Sequence, residues 1–169
     1  MNHKTQFNKI ADFNKAFGVK EHKTPQLSIF KDDPKTIQYR LDLITEEYKE
    51  LLEAVEENDF TETVDALTDI LYVVLGMGRA IGIDLDKSFD IVHESNMSKL
   101  CISEEEAKQT VEWYKQQYKN GTQPYDTPSY RKSDDDQHWV VYNESTSKIL
   151  KSINYKPATK GLEDLIKKI

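Results

Sequence analysis

Cysteine is almost missing from this chain of 169 residues: Cys101 stands alone. No internal disulfide can form, a reducing compartment is the expected setting, and Cys101 itself is expected to be a small apolar residue. Long apolar runs are missing too, with hydrophobic residues at 37% and no stretch of signal-peptide or membrane-spanning length. The expectation is a cytoplasmic protein with no membrane partner. Cations are in the minority, 23 Lys and Arg against 30 Asp and Glu, for a net charge of −7. That balance argues against a nucleic-acid backbone as partner, and leaves open a small phosphorylated molecule bridged to acids by metal. The six glycines form no phosphate-cradling loop. CxxC and HExxH do not occur, no Ser–His or Cys–His set offers a protein nucleophile, and no internal repeat is present.

Carboxylates are what the chain has in quantity, and their placement over residues 41–81 carries the argument. The stretch LDLITEEYKELLEAVEENDFTETVDALTDILYVVLGMGRAI reads as two helices joined by a short acidic turn. On the first, Ile37, Leu41, Ile44, Tyr48, Leu51 and Val55 recur at steps of three and four and predict one buried face. Glu47 falls at the edge of that stripe, with Glu46 and Glu50 fanning outward. The second helix is apolar around most of its circumference and is expected to be central and enclosed. It nevertheless carries Asp65 and Asp69 four residues apart, with Glu62 one turn earlier. Like charges one turn apart repel, and a carboxylate taken out of water needs a partner. If the two strips face each other, a hard divalent ion is the fitting cation, because Mg²⁺ takes carboxylate oxygens and keeps waters for substrate phosphates. Glu53, Glu56 and Glu57 read as an ordinary solvated face.

Around this pair, Phe7, Ile10, Phe13 and Phe17 line one face of a first helix that Gly18 stops. Phe13 and Phe17 suit the core, or a planar base stacked beside the acids. Asp33 before Pro34 marks a helix start, and Thr61 is expected to cap the second acidic helix. A fourth helix from about Asp86 carries His93, Asn96 and Lys99; an Asn can read a base edge and a Lys can hold phosphate. Ser103 and Glu106 predict a capping box opening a fifth helix to Asn120. From 122 the helical period disappears. GTQPYDTPSYRKSDDDQ reads as a surface excursion, in which Tyr125, Tyr130 and Arg131 could cover a site. HWVVYN and SKILKSINY predict a hairpin with Trp139, Val141, Ile149 and Ile153 on its buried side, and GLEDLIKKI predicts a short last helix. The expected organisation is a helical domain over 1–121 and a C-terminal extension over 122–169.

ITEEYKEL, VDALTDILYVVLG and IDLDKSFDIVHESNMSKL together resemble the all-α nucleoside triphosphate pyrophosphohydrolases, the MazG-like group that includes phosphoribosyl-ATP pyrophosphohydrolase and the dimeric dUTPases. The family's motif is EExxE followed by ExxD on the next helix. Glu46, Glu47 and Glu50 fit its first half, and Asp69 fits its final aspartate. Three residues before Asp69 stands Ala66 instead of Glu, so either Asp65 fills that role or the motif is Glu62-Thr-Val-Asp65. The resemblance implies a four-helix core per chain, assembled as a homodimer or homotetramer. With the C-terminal hairpin, which lies outside that common core, the expected fold is an all-α bundle of four to five helices with a small β-hairpin appendage. The resemblance also implies Mg²⁺-dependent hydrolysis, with Mn²⁺ as a substitute, between the α- and β-phosphates of a nucleoside triphosphate. Glu46 and Glu47 would be catalytic, and Glu47, Glu50, Asp65 and Asp69 would hold metal, with Glu62 as a further candidate. Asn96 and Lys99, with Phe13, Phe17 and Arg131, would contact substrate. Phosphoribosyl-ATP or dUTP hydrolysis on the same scaffold is the nearer alternative, and a non-enzymatic helical interaction module the farther one.

Overall fold

The structure, a computed structural model, describes residues 4–167. It is an all-α bundle carrying a small antiparallel sheet, in the order α1 (Gln6–Phe17), α2 (Ile29–Asp32), α3 (Pro34–Glu56), α4 (Phe60–Ile81), α5 (Leu85–Met97), α6 (Glu104–Lys119), β1 (Pro128–Lys132), β2 (Trp139–Asn143), β3 (Lys148–Ile149) and α7 (Thr159–Lys167). The chain divides into two compact units, one running to Phe89 and resuming at Glu163, the other Asp90–Leu162. The division therefore falls inside α5, upstream of the change in composition at 122. Among the described residues no single helix is long and apolar enough to cross a membrane.

In the first unit, α3 and α4 form a long antiparallel hairpin, and α1 packs on α4. Local chemistry sets the ends. Asp33 caps α3, accepting from the Thr36 backbone N–H at 3.2 Å and from its hydroxyl at 2.8 Å, with Pro34 in the first turn. The cap of α4 is Asp59 and not Thr61: its carboxylate accepts from the N–H groups of Thr61 and Glu62 at 2.9 and 3.0 Å, since a carboxylate also favours the positive end of the helix. Gly82 ends α4 in the left-handed region at φ 77°, and a Cβ there would strike the Thr24 carbonyl oxygen. The segment carrying Thr24 serves α4 directly: the N–H groups of His22 and Gln26 donate to the Arg79 and Ile81 carbonyls, which a helix end leaves without partners. Phe7, Ile10 and Leu75 form the core here, with Leu85 against them.

Two expectations about this hairpin are corrected. On α3, Leu41, Tyr48 and Val55 point outward, and the buried positions are Arg40 and Ala54, with Ile37, Ile44, Glu47 and Leu51 half-buried. The stripe is turned by one residue, so Arg40, Glu47 and Ala54, seven apart, run along the seam. On α4, Val64, Leu67 and Leu71 are exposed, and apart from Ala66 the buried positions lie in the C-terminal half.

The second unit is built around Cys101, Ala107, Val111, Tyr114, Val141 and Leu150. Ser103 caps α6 by accepting from the Glu106 N–H at 3.1 Å; Glu106 reaches back to the Ile102 N–H, one residue beyond a capping box. The sheet has order β1-β2-β3. Strand β2 and its turn to β3 match the expected hairpin, but β1 lies in the stretch read as a surface excursion, its Pro128 to Lys132 pairing with Asn143 to Trp139. Leu150 is buried where Ile149 and Ile153 were expected; both of those are exposed. Cys101 is buried, which raises its thiol pKa, and it exchanges backbone hydrogen bonds of 2.8 and 2.9 Å with Trp139.

Candidate functional site

Helical geometry builds the site along the α3–α4 seam. Arg40 lies against Gly76, where a Cβ would come within 2.9 Å of its Nη1. The helices are antiparallel, so two turns along each from that point bring Glu47 opposite Asp69. The electrostatics agree. The Glu47 carboxyl has its pKa raised, first by burial and then by the charges of Glu50, Asp69, Glu46 and Asp65. A carboxylate moved up by four others has acidic neighbours on both helices. Glu46 and Glu50 are exposed beside it, Asp65 is exposed, and Asp69 is half-buried. Glu62 is exposed in the first turn of α4, one turn before Asp65.

The carboxylates are close enough to repel and are not drawn together. Among the described residues, no three His, Cys, Asp or Glu side chains form a ready metal centre. The donor set still fits a hard divalent ion, because it is all oxygen and comes from two rigid helices. Such an ion would also relieve the repulsion that lifts Glu47.

An aromatic step adjoins the acids. Phe13 and Phe17 are exposed and stacked, with centroids 4.3 Å apart, and Phe13 meets Tyr72 edge-on at 5.8 Å. Asp65, Asp69, Tyr72 and Gly76 succeed one another at steps of four, three and four, so acids, aromatic ring and the bed of Arg40 share one face of α4. Tyr72 and Arg40 were missed in the sequence, although that spacing was there to be read for Tyr72. Arg40 carried no comparable signal, since a lone Arg in an amphipathic helix reads as a solvated charge.

The remaining expected residues belong to the second unit. Lys99 Nζ donates to Asn96 Oδ1 at 2.8 Å, which couples the two side chains. Arg131, on β1, is exposed and pairs with Asp134 at 2.9 Å.

Comparison with known proteins shows the family. Residues 10–96, which include α3, α4 and nearly all of α5, match the family model described as phosphoribosyl-ATP pyrophosphohydrolase. An uncharacterized protein of Acanthamoeba polyphaga mimivirus is 30% identical, over 90% of this chain and 92% of its own length. The chain belongs to the phosphoribosyl-ATP pyrophosphohydrolase family, within the MazG-like all-α nucleotide pyrophosphohydrolases.

Proposed function

We propose that the protein hydrolyses nucleoside triphosphates between the α- and β-phosphates, releasing a nucleoside monophosphate and pyrophosphate, with Mg²⁺ or Mn²⁺ as cofactor. The observation that carries this reading is Glu47, half-buried on the seam, its pKa raised first by that burial and then by carboxylates on both helices. Glu47, Glu50, Asp65 and Asp69 would hold the metal. When bound, it neutralises charge on the phosphoryl oxygens and lowers the pKa of water. Glu46, exposed beside Glu47, accepts the proton of the attacking water at its carboxylate. The water oxygen joins one phosphorus as the bridging oxygen leaves in line. Phe13, Phe17 and Tyr72 offer ring faces and edges to a planar base.

The same reading takes a homodimer or homotetramer as the working form. Leu52, Val55, Phe60, Val64, Leu67 and Leu71 are all exposed, Phe60 to 81%. Those on α4 recur at steps of four, three and four, as an interface with a second copy requires. Light scattering on the purified chain is expected to give two or four times the chain mass.

The decisive assay is a panel of nucleoside triphosphates, with dUTP and phosphoribosyl-ATP included, incubated with Mg²⁺ and read for pyrophosphate against orthophosphate. Pyrophosphate with at least one substrate is the expected result. Orthophosphate alone, or no turnover across the panel, would sink the reading.

A further inference from the structure

We propose that Arg40 is a phosphate-binding residue that receives the pyrophosphate end of the substrate. The inference rests on the nucleotide reading above and adds to it a residue outside the acidic motif. Arg40 is 8% exposed, and among the described residues its buried Nε has no hydrogen-bond partner. Among the described residues, the ion pairs of this unit are Lys4–Asp12, Lys87–Asp84 and Lys167–Glu163, and none involves Arg40. The guanidinium has the Tyr39 ring 5.9 Å from its Cζ, but a cation withdrawn from water without an anion is still costly, because it gives up hydration for little charge compensation. The acids of the seam stand at another level: Glu47 is seven residues from Arg40, about 10 Å along the helix axis.

Position on the seam identifies the missing anion. Acids that suit a metal ion occupy one level, and an unpaired cation occupies another two turns along, on the same faces of the same two helices. A polyphosphate is the ligand that meets both ends, metal-bridged at one and clamped at the other. The planar fork of an Arg matches phosphate oxygens through paired hydrogen bonds, which a Lys cannot reproduce. Gly76 supports the assignment independently. It lies in the interior of α4, where glycine costs about 0.5–1 kcal/mol relative to Ala. Its lack of a side chain leaves the bed in which Nη1 rests, since a Cβ would stand 2.9 Å from that atom. A base edge would leave the charge of Arg40 uncompensated, whereas a phosphate neutralises it.

The test is calorimetric binding of inorganic pyrophosphate, in the presence of Mg²⁺, to the full-length wild type, Arg40→Gln and Arg40→Lys. Chain mass by light scattering is measured alongside. Arg40→Gln is expected to weaken pyrophosphate binding at least about tenfold, the scale of a lost charge-assisted pair, at unchanged mass. Arg40→Lys, which keeps the charge without the fork, is expected to fall between, and it decides the question in the same direction if Arg40→Gln does not fold. Equal affinity in wild type and variant overturns the assignment. So does a change in mass on substitution, which would give Arg40 to a carboxylate of a second copy. A wild type that turns over nucleotides yet binds pyrophosphate without needing Arg40 removes this inference alone. A wild type inactive across the nucleotide panel removes the functional reading itself.

Discussion

Asn143 and Arg40 are both polar and both buried, and the two units treat them differently. In the second unit the Asn143 amide donates to Asp126, Ser145 and Thr146 and accepts from the Thr127 N–H. Glu106, in the same unit, accepts from Ser152 and from the Ile102 N–H, and Thr110 donates to the Glu106 carbonyl at 2.8 Å. His138 is the exception, its Nδ1 lying 3.5 Å from Asp135 without a hydrogen bond. In the first unit, Arg40 Nε has no hydrogen-bond partner among the described residues, and Glu47 is raised in pKa first by burial and then by neighbouring carboxylates. Satisfied buried groups hold a fold in one arrangement, whereas an unsatisfied one calls for an explanation such as a bound ion or ligand. The more elaborate polar network is therefore in the second unit, and the proposed site draws on the buried charged groups of the first.

That contrast predicts opposite signs for substitution in the two units. The largest effect is on turnover. Glu47→Gln or Asp69→Asn should lower kcat/KM by at least about a hundredfold, since even the outer partners of metal ligands cost 10–100-fold. Glu47→Gln should also leave the metal-free protein as stable as wild type or more so at neutral pH. A carboxylate whose folded pKa is raised destabilises the fold above that pKa, and the amide has no charge to repel. Thermal melting in a metal chelator checks this. Next in size is Asn143→Ala, which strands the Thr127 N–H and Asp126 and should cost about 2–3 kcal/mol in urea denaturation. A neutral outcome there would dissolve the comparison.

Only part of this contrast was legible in the sequence. The acidic strips could be placed because helical spacing fixes which side chains share a face, so Glu47, Asp65 and Asp69 fell where the structure has them. Arg40 could not, since burial of a charge depends on which way the stripe turns. Apolar content favoured the face with Leu41, Tyr48 and Val55, while the seam runs through Arg40, Glu47 and Ala54. Strand β1 escaped for a related reason. Pro128-Ser-Tyr-Arg-Lys has no apolar alternation and is defined by its pairing with β2, and Pro fits there because it is the first residue of an edge strand. Ile149 and Ile153 were assigned to the buried side by a strict alternation that β3, two residues long, is too short to sustain.

Two smaller effects sharpen the comparison. Gly76→Ala should raise the stability of the metal-free protein by up to about 1 kcal/mol, because Ala is the better helix former and the atom it meets is the flexible end of Arg40. It should weaken pyrophosphate binding as it does so, and a stability gain with unchanged affinity would detach Gly76 from the site. The smallest effect is the pH response of Asp126, whose pKa is lowered to about 2 by hydrogen bonds from Ser145 and then Asn143. A carboxyl lower in the folded state than its usual value of about 3.9 lends stability above that value and loses it as pH falls toward 2. Melting curves at pH 5 and pH 2.5 should show a drop that Asp126→Asn reduces.

Titration of Mg²⁺ into the nucleotide-free protein, followed by melting temperature, tests the shared carboxylate site most directly. The wild type should melt at higher temperature as Mg²⁺ is added, and Glu47→Gln should lose most of that rise. A wild type indifferent to Mg²⁺, or a rise of equal size in the variant, would contradict a cation held at Glu47.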